Sequence, residues 1–477
     1  MGKDRATSFG ADVFGARKFT RRNFLKMGGA VAAGSAMVPL LSACGGDSQG
    51  SGDLAGTNLT VAAVNNPQME DMKELVKDFT KKTDIKVKFQ FLPENDLRQK
   101  VTQDVSLNAG NFDIVMISSY ETPIWAQSQW LEPLNPFFEQ MSEEEQNAYD
   151  LDDVLQTWRT SLSFEDQLYS IPFYGESSSL FYRKDLFEKA GIEMPERPTW
   201  EQVTGFAKKL HDPDGGVNGI TLRGLPGWGA NMAPFGTFLN TYGGRWYNEN
   251  WEPQLDSPEV KAAIESYTNL ASNYAQSGIV SDNFPECLTL FSSGKAAMWY
   301  DATVAGGLVT DKESSDVADQ VGFAYGPTAV VPNGAHWLYS WSLGIESASK
   351  NKEAAFEFLK WSTNKDYMKL VGEELDYGKV PPGTRRSTYE DTPYGENPWT
   401  DIELDSIETA DPENPTKDPV PYTGIQYIVI PEFQQIGDSV GRILSSVITG
   451  DISPEEMQKR AQKEALDVAK EGEYLKS

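Results

Sequence analysis

Several short segments of the chain carry a charged side chain, a tryptophan, or both. These are LRGLPGWG with Arg223 and Trp228, MWYDAT with Trp299 and Asp301, HWLYSWS with Trp337 and Trp341, FYGE with Glu176, and PPGTRR with Arg385. Carboxylates and guanidinium groups exchange directional hydrogen bonds with hydroxyls, and aromatic faces cover C–H surface. The set predicts a binding site for a small, hydroxyl-rich molecule.

The same side chains also have structural interpretations. Tryptophan packs in a core more often than it lines a site, and we expect core positions for Trp200, Trp246, Trp251 and Trp361. Asp301 and Glu176 could anchor two parts of the fold by hydrogen bonds, and Arg223 could form an ion pair. Both interpretations stay open at this stage.

Catalytic and metal-binding patterns are weak in this sequence. Cys287 has no nearby histidine or second thiol, and His211 and His336 lack metal-ligand spacing. HDPDGG resembles the start of a calcium loop, but its closing glutamate would fall at Arg223. No carboxylate spacing marks a catalytic pair, so we expect no catalytic residue, metal or cofactor. A secreted carbohydrate-active enzyme, such as a glycosidase, stays as the alternative.

The elements that must position the site begin with alternating strands and helices. LTVAAV and DIVMI are apolar runs, IKVKFQF alternates in polarity, and helical stretches separate the three. This β–α–β–α–β order favours a parallel sheet, where ligands bind beyond the carboxyl ends of strands. That edge adds Asn66 in NNPQ and Tyr120 and Glu121 in SSYETPIW to the candidates.

A second α/β set follows LYSIPFYGESSSLFYRKDLF, which passes from strand to helix. Thr199 is the expected N-cap of a further helix, GVNGITLRGL is expected to form a strand, and ISPEEMQKRAQKEALDVAKEG predicts a terminal amphipathic helix. Two α/β lobes joined by crossing segments suit a cleft that closes on its ligand.

The first 57 residues carry addressing signals. TRRNFLK, with Arg21 and Arg22, precedes a short apolar run that ends in LSAC at Cys44. These motifs resemble the twin-arginine export signal and the lipobox of bacterial lipoproteins, which implies cleavage before Cys44 and lipidation of its sulfur. Residues 1–43 would be the signal peptide and 44–57 a flexible Gly/Ser-rich tether.

The net charge and the length of the chain limit the classes of binding partner and the number of domains. The 477 residues carry a formal charge of −28, which repels nucleic acid, and the chain after the tether can form two domains. We expect a monomer that touches the membrane only through a lipid on Cys44.

YRKDLFEKAGIEMPERPTWEQVTGFAKKL, LFSSGKAAMWYDATVAGG and SLGIESASKNKEAAFEFLKWSTN resemble the family 1 extracellular solute-binding proteins of ABC importers. LRGLPGWGANMAPF and PVPYTGIQYIVIPEFQQIG resemble the branch for sugar alcohols such as sorbitol and mannitol. The resemblance implies a type II periplasmic-binding-protein fold, with two α/β lobes of parallel-rich sheets around a cleft. It also implies capture of a polyol or sugar outside the membrane and delivery to permease subunits.

Domain boundaries complete the sequence-based prediction. The first lobe would comprise residues 58–171 and about 302–363, and the second lobe 172–301 and about 364–477. The chain would therefore cross between lobes near 171–175 and again near 299–302.

Overall fold

The structure is a computed structural model that describes residues 54–475. The predicted signal peptide, Cys44 and most of the predicted tether lie outside the described residues. Within residues 54–475, no helix has both the length and the apolar character needed to cross a bilayer.

The first lobe opens with the predicted alternation of strands and helices. These elements are β1 (Asn58–Val64), α1 (Pro67–Thr83), β2 (Lys86–Leu92), α2 (Glu94–Leu107) and β3 (Ile114–Ser118). β1 pairs in parallel with both neighbours, so that Val61 lies opposite Phe89 and Ile114. Helix α1 begins after Asn66 because the Asn66 side chain accepts a hydrogen bond from the Met69 amide. The predicted β–α–β–α–β order is confirmed.

Short elements then lead across the surface of the first lobe to another long strand. They are α3 (Glu121–Gln127), α4 (Asn135–Gln140), α5 (Glu143–Tyr149), α6 (Gln156–Ser161), β4 (Ser163–Phe164), β5 (Gln167–Leu168) and β6 (Ser170–Glu176). Every residue of β6 is buried, as expected for a strand covered on both faces.

The second lobe begins after the single linking residue Ser177. Its elements are β7 (Ser178–Arg183), α7 (Lys184–Ala190), α8 (Trp200–Leu210), α9 (Met232–Thr241), α10 (Pro258–Asn273), α11 (Phe284–Ser292), β8 (Met298–Ala302), α12 (Ala305–Thr310) and β9 (Val321–Tyr325). Thr199 caps α8 as predicted, with Gln202 completing a capping box.

The remaining chain returns to the first lobe and then to the second. It forms β10 (Tyr339–Ile345), α13 (Lys352–Thr363), α14 (Lys365–Glu374), α15 (Arg386–Glu390), α16 (Thr400–Thr409), α17 (Phe433–Ile448) and α18 (Pro454–Glu471). Helix α13 packs on β10 and β6, whereas α16 packs on β7 and β9. The predicted terminal helix is confirmed, and Ser453 is its N-cap.

Two sheets define the lobes. The first has the order β2-β1-β3-β10-β6, and only β10 runs against its neighbours. The second has the order β8-β7-β9 and is antiparallel throughout. The predicted α/β fold is therefore present, but the parallel-rich sheet expected in the second lobe is wrong. A run of buried apolar residues looks the same in a strand of either direction.

Two further expectations differ from the structure. The segment 216–225 forms only isolated bridges, at Val217, Asn218 and Thr221, rather than a strand. The return to the first lobe does not occur near residue 302, because β9 pairs with β7 and the chain re-enters the first sheet at β10. The first crossing lies at Ser177, just beyond the predicted range.

Candidate ligand-binding site

One edge of the first sheet collects the ends of several strands. β1, β2, β3 and β6 all end there, and β10 begins there with Tyr339 paired to Glu176. Asn66, Glu94 and Tyr120 follow the first three strands, as the parallel arrangement requires. The Asn66 amide group also donates to the Tyr174 hydroxyl at 2.9 Å, which fixes that ring at the same edge.

Arg98 on α2 organises the charges of this edge. Its guanidinium donates to Glu94 Oε1 at 2.9 Å, to Glu121 Oε1 at 2.5 Å and to the Tyr339 hydroxyl. Burial disfavours its charge, but Glu121, then Tyr339 and Glu94, outweigh that cost and raise the pKa of Arg98. The first lobe therefore presents a permanently charged, fully oriented arginine.

Arg223 plays the matching part in the second lobe. Its Nε donates to Asp301 Oδ2 at 2.9 Å, its Nη2 donates to Asp301 Oδ1, and its Nη1 donates to the Gly229 carbonyl at 3.1 Å. Burial opposes the charge, but Asp301, with smaller contributions from Glu94 and Glu176, raises the pKa of Arg223.

Trp228 joins the lobes across the cleft. The guanidinium carbon of Arg98 lies 4.0 Å from the centre of the Trp228 ring and 4.7 Å from that of Trp341. The Tyr120 ring lies 4.8 Å from Trp228. The Tyr120 hydroxyl donates to the Ile430 carbonyl of the second lobe at 3.0 Å. The structure therefore shows the lobes closed on each other, with an arginine between two indoles.

Glu176 lies where the two lobes meet. Burial raises the pKa of its carboxyl well above the ordinary value, Arg223 lowers it, and the carboxylates of Asp301 and Glu94 raise it. The raised pKa favours the protonated carboxyl, which can both donate and accept a hydrogen bond.

Exposure separates side chains that a ligand can reach from those that support them. Glu94 keeps 17% of its side-chain surface and Glu176 is 7% exposed, whereas Asp301 is completely buried. Asp301 also accepts from Trp299 Nε1 and from the Ala302 amide, so its oxygens are occupied. It positions Arg223 and does not face the cleft.

Three tryptophans and one arginine that were predicted to bind the ligand lie in different parts of the structure. Trp337 lies 5.7 Å from the Arg223 guanidinium, and neither its indole N–H nor that of Trp228 has a hydrogen-bond partner within residues 54–475. Trp299 is core, packed among the rings of the second lobe. Arg385 lies away from the cleft and is buried against Asp153 and the Thr363 carbonyl. The structure does not bring Arg385 into this cluster, because its donors bind the Thr363 carbonyl, the Asp150 carbonyl and Asp153.

Four members of the cluster were missed by sequence reasoning. Glu94 follows β2 in the same way that Asn66 follows β1, and Arg98 lies one helical turn beyond Glu94. The strand-end rule that selected Asn66 and Tyr120 would have selected Glu94 if it had been applied to the middle strand. Tyr174 and Tyr339 carried no comparable signal, because both lie within buried strands.

The arrangement is suited to binding hydroxyls. It offers charged donors, carboxylate acceptors and aromatic faces in a closed space. Within residues 54–475, no group of three or more His, Cys, Asp or Glu side chains is placed to hold a metal ion.

Comparisons with known proteins show the family to which this chain belongs. Residues 63–369 match the family of bacterial extracellular solute-binding proteins, and residues 18–38 match the signal sequence of the twin-arginine translocation pathway. The chain is 44% identical over 419 residues to a mannitol-binding protein of Pseudomonas aeruginosa, covering 88% of this chain and 94% of that one.

Solved structures give the same result. A solute-binding protein of an ABC transporter from Agrobacterium vitis S4, with bound D-mannitol, is 45% identical and superposes with a TM-score of 0.85 over 88% of this chain and all of that chain. One from Agrobacterium radiobacter K84, in complex with ribitol, is 25% identical with a TM-score of 0.76 over 87% of this chain and 100% of that one. This chain is an exported member of the bacterial extracellular solute-binding protein family.

Proposed function

We propose that this protein captures a linear six-carbon polyol, such as mannitol or sorbitol, outside the cell membrane and delivers it to the permease of an ABC importer. The observation that carries the proposal is an oriented arginine in each lobe, Arg98 paired with Glu94 and Arg223 paired with Asp301, together with Glu176 where the lobes meet. A polyol has a hydroxyl on every carbon, so it can satisfy donors and acceptors on both lobes at once. The mannitol-binding relative and the mannitol-bound structure support this ligand class.

The site favours an extended ligand over a pyranose. The rings of Trp228 and Trp341 are stacked against Arg98, so these two indole faces are already covered. Affinity for a polyol then depends more on charge-assisted hydrogen bonds than on ring stacking.

Titration calorimetry with mannitol, sorbitol, glucose and maltose tests the proposal. We expect mannitol or sorbitol to bind tightly, with glucose and maltose at least about a hundredfold weaker, because buried polar groups left unpaired are costly. Tight maltose binding without polyol binding would refute the polyol ligand. The receptor role also requires that each compound is recovered unchanged, whereas a hydrolysis product of maltose would support the glycosidase alternative.

We also propose that the mature protein is held at the outer face of the membrane by a lipid on Cys44. The support is the LSAC motif directly behind the twin-arginine signal. Cys44→Ala should be exported without label in cells fed radioactive palmitate, while the wild type is labelled. Export of a variant carrying both Arg21→Lys and Arg22→Lys should fail, and its normal surface display would refute use of the twin-arginine route.

A further inference from the structure

Glu94 is the least buried carboxylate of the cleft, and the comparisons assign it no role. We infer that Glu94 is a specificity-determining residue that accepts hydrogen bonds from ligand hydroxyls on the side of the first lobe. This inference rests on the proposed polyol function and deepens it, because it names the group that tests whether a particular hydroxyl is present.

Arg98 fixes the direction of the Glu94 carboxylate. Both hydrogen bonds between the two side chains end on Oε1, from Nε at 3.3 Å and from Nη2 at 2.9 Å. Arg98 is itself held by Glu121 and by the Tyr339 hydroxyl. Oε2 of Glu94 accepts no hydrogen bond from the described residues, and the side chain keeps 17% of its surface exposed. An oriented acceptor is thus left over after the protein has satisfied its own donors.

Glu94 faces the second lobe at close range. A Cβ atom built on Gly229 would lie 2.4 Å from Glu94 Oε1, so the carboxylate rests against the bare Cα of that glycine. The carbonyl of the same glycine accepts from Arg223. The negative charge of Glu94 also raises the pKa values of Arg223, Glu176 and Tyr174. Glu94 therefore lies beside the segment of the second lobe that Arg223 holds.

An oriented carboxylate discriminates against ligands that lack the matching hydroxyl. Oε2 can only accept, so it needs an O–H or N–H donor from the ligand. A ligand that lacks the matching hydroxyl leaves a desolvated, negatively charged oxygen without a partner, which costs more than the loss of one ordinary contact. Discrimination against deoxy analogues should therefore depend on Glu94.

The test is a thermodynamic cycle of protein and ligand changes. D-Mannitol has a twofold axis, so 1-deoxy-, 2-deoxy- and 3-deoxy-mannitol remove each distinct kind of hydroxyl. Titration calorimetry measures all four ligands with the wild type and with Glu94→Gln, which keeps an oxygen for Arg98 but replaces the second one by a donor. We expect mannitol to bind the variant about tenfold to a hundredfold more weakly. On the wild type, at least one deoxy analogue should bind more weakly than mannitol by a similar factor. That analogue should bind the wild type and the variant almost equally.

A purely structural role predicts a different pattern. If Glu94 only orients Arg98, the variant weakens mannitol and all three analogues by the same factor, and the inference is overturned. It is also overturned if Glu94→Gln binds mannitol as the wild type does. Absence of polyol binding to the wild type would instead refute the proposed function, and binding of other sugars would identify the ligand class.

Two matched controls separate the contact from general damage. Asp96→Asn changes an exposed carboxylate in the same helical turn and should leave every affinity unchanged. Gly229→Ala should reproduce the loss of selectivity by displacing the Glu94 carboxylate. Gly205→Ala, where a Cβ meets no atom within 4 Å, should not.

Discussion

Replacing Asp301 with asparagine should lower the free energy of unfolding of the ligand-free protein, to which contacts with a ligand do not contribute. The Asp301 carboxylate is completely buried and accepts from Arg223 Nε at 2.9 Å, from Arg223 Nη2, from Trp299 Nε1 at 3.1 Å and from the Ala302 amide at 2.7 Å. Asparagine keeps the shape but removes the charge and turns one acceptor into a donor that faces the guanidinium.

The magnitude follows from what remains around Arg223. Breaking a buried ion pair by neutralising one partner costs about 3–5 kcal/mol, because the other charge stays buried without compensation. Glu176 offsets part of this cost, since Asp301 raises the pKa of Glu176 and that influence disappears with the charge. We therefore expect a loss near the lower end, about 3 kcal/mol in the free energy of unfolding.

Urea unfolding of the ligand-free protein, followed by circular dichroism, measures this loss. The matched control is Asp405→Asn, which removes a pair with Arg197 whose N–O distance is 3.0 Å and whose side chains are 41% and 55% exposed. An exposed pair contributes about 1 kcal/mol or less. If Asp301→Asn costs no more than this control, then Asp301 is not the anchor of Arg223 and the reasoning from burial fails.

Three further predictions concern other buried charges. Burial, with Asp104 and Asp113 nearby, raises the pKa of Glu346 to about 9. The free energy of unfolding should therefore fall as the pH rises from the ordinary carboxyl range to about pH 9, by about 1 kcal/mol per pH unit. Thermal unfolding at pH 5 to 8 measures this slope, which Glu346→Gln should flatten. Arg385→Met should lower the free energy of unfolding by about 3 kcal/mol yet leave mannitol affinity within about twofold, and a large loss of affinity would restore Arg385 to the site. Closure of the cleft on its ligand should raise the pKa of Glu176, so that binding takes up a proton and the affinity for the ligand falls as the pH rises. Calorimetry in two buffers of different ionisation enthalpy should detect the proton uptake in the wild type and not in Glu176→Gln.

The sequence allowed prediction of the first lobe because its signals are local and directional. LTVAAV, IKVKFQF and DIVMI alternate with helices, and such an order leaves little choice but a parallel sheet. Asn66 and Tyr120 followed from that sheet, because both come directly after a strand. Glu94 was available by the same rule, so its omission was an incomplete use of the pattern.

The second lobe could not be predicted in this way because its pairings join distant segments. β7 pairs with β8 and β9, which follow it by more than a hundred residues, and the intervening chain carries no sign of strand direction. Arg385 illustrates the same limit for side chains. Its partners Asp150 and Asp153 come from a loop that sequence reasoning had no means to place beside it.

The distribution of charges between the lobes allows such a cleft to open without the loss of these buried ion pairs. Arg98 is paired with Glu94 and Glu121 inside the first lobe, and Arg223 with Asp301 inside the second, so separation of the lobes breaks neither pair. Opening instead loses the stacking of Trp228 on Arg98 and neutral hydrogen bonds such as that of Tyr120, each of modest strength. The charged groups of each lobe are thus oriented by partners within the same lobe. A ligand that bridges Glu94 and Arg223 can therefore decide the balance between the open and closed states.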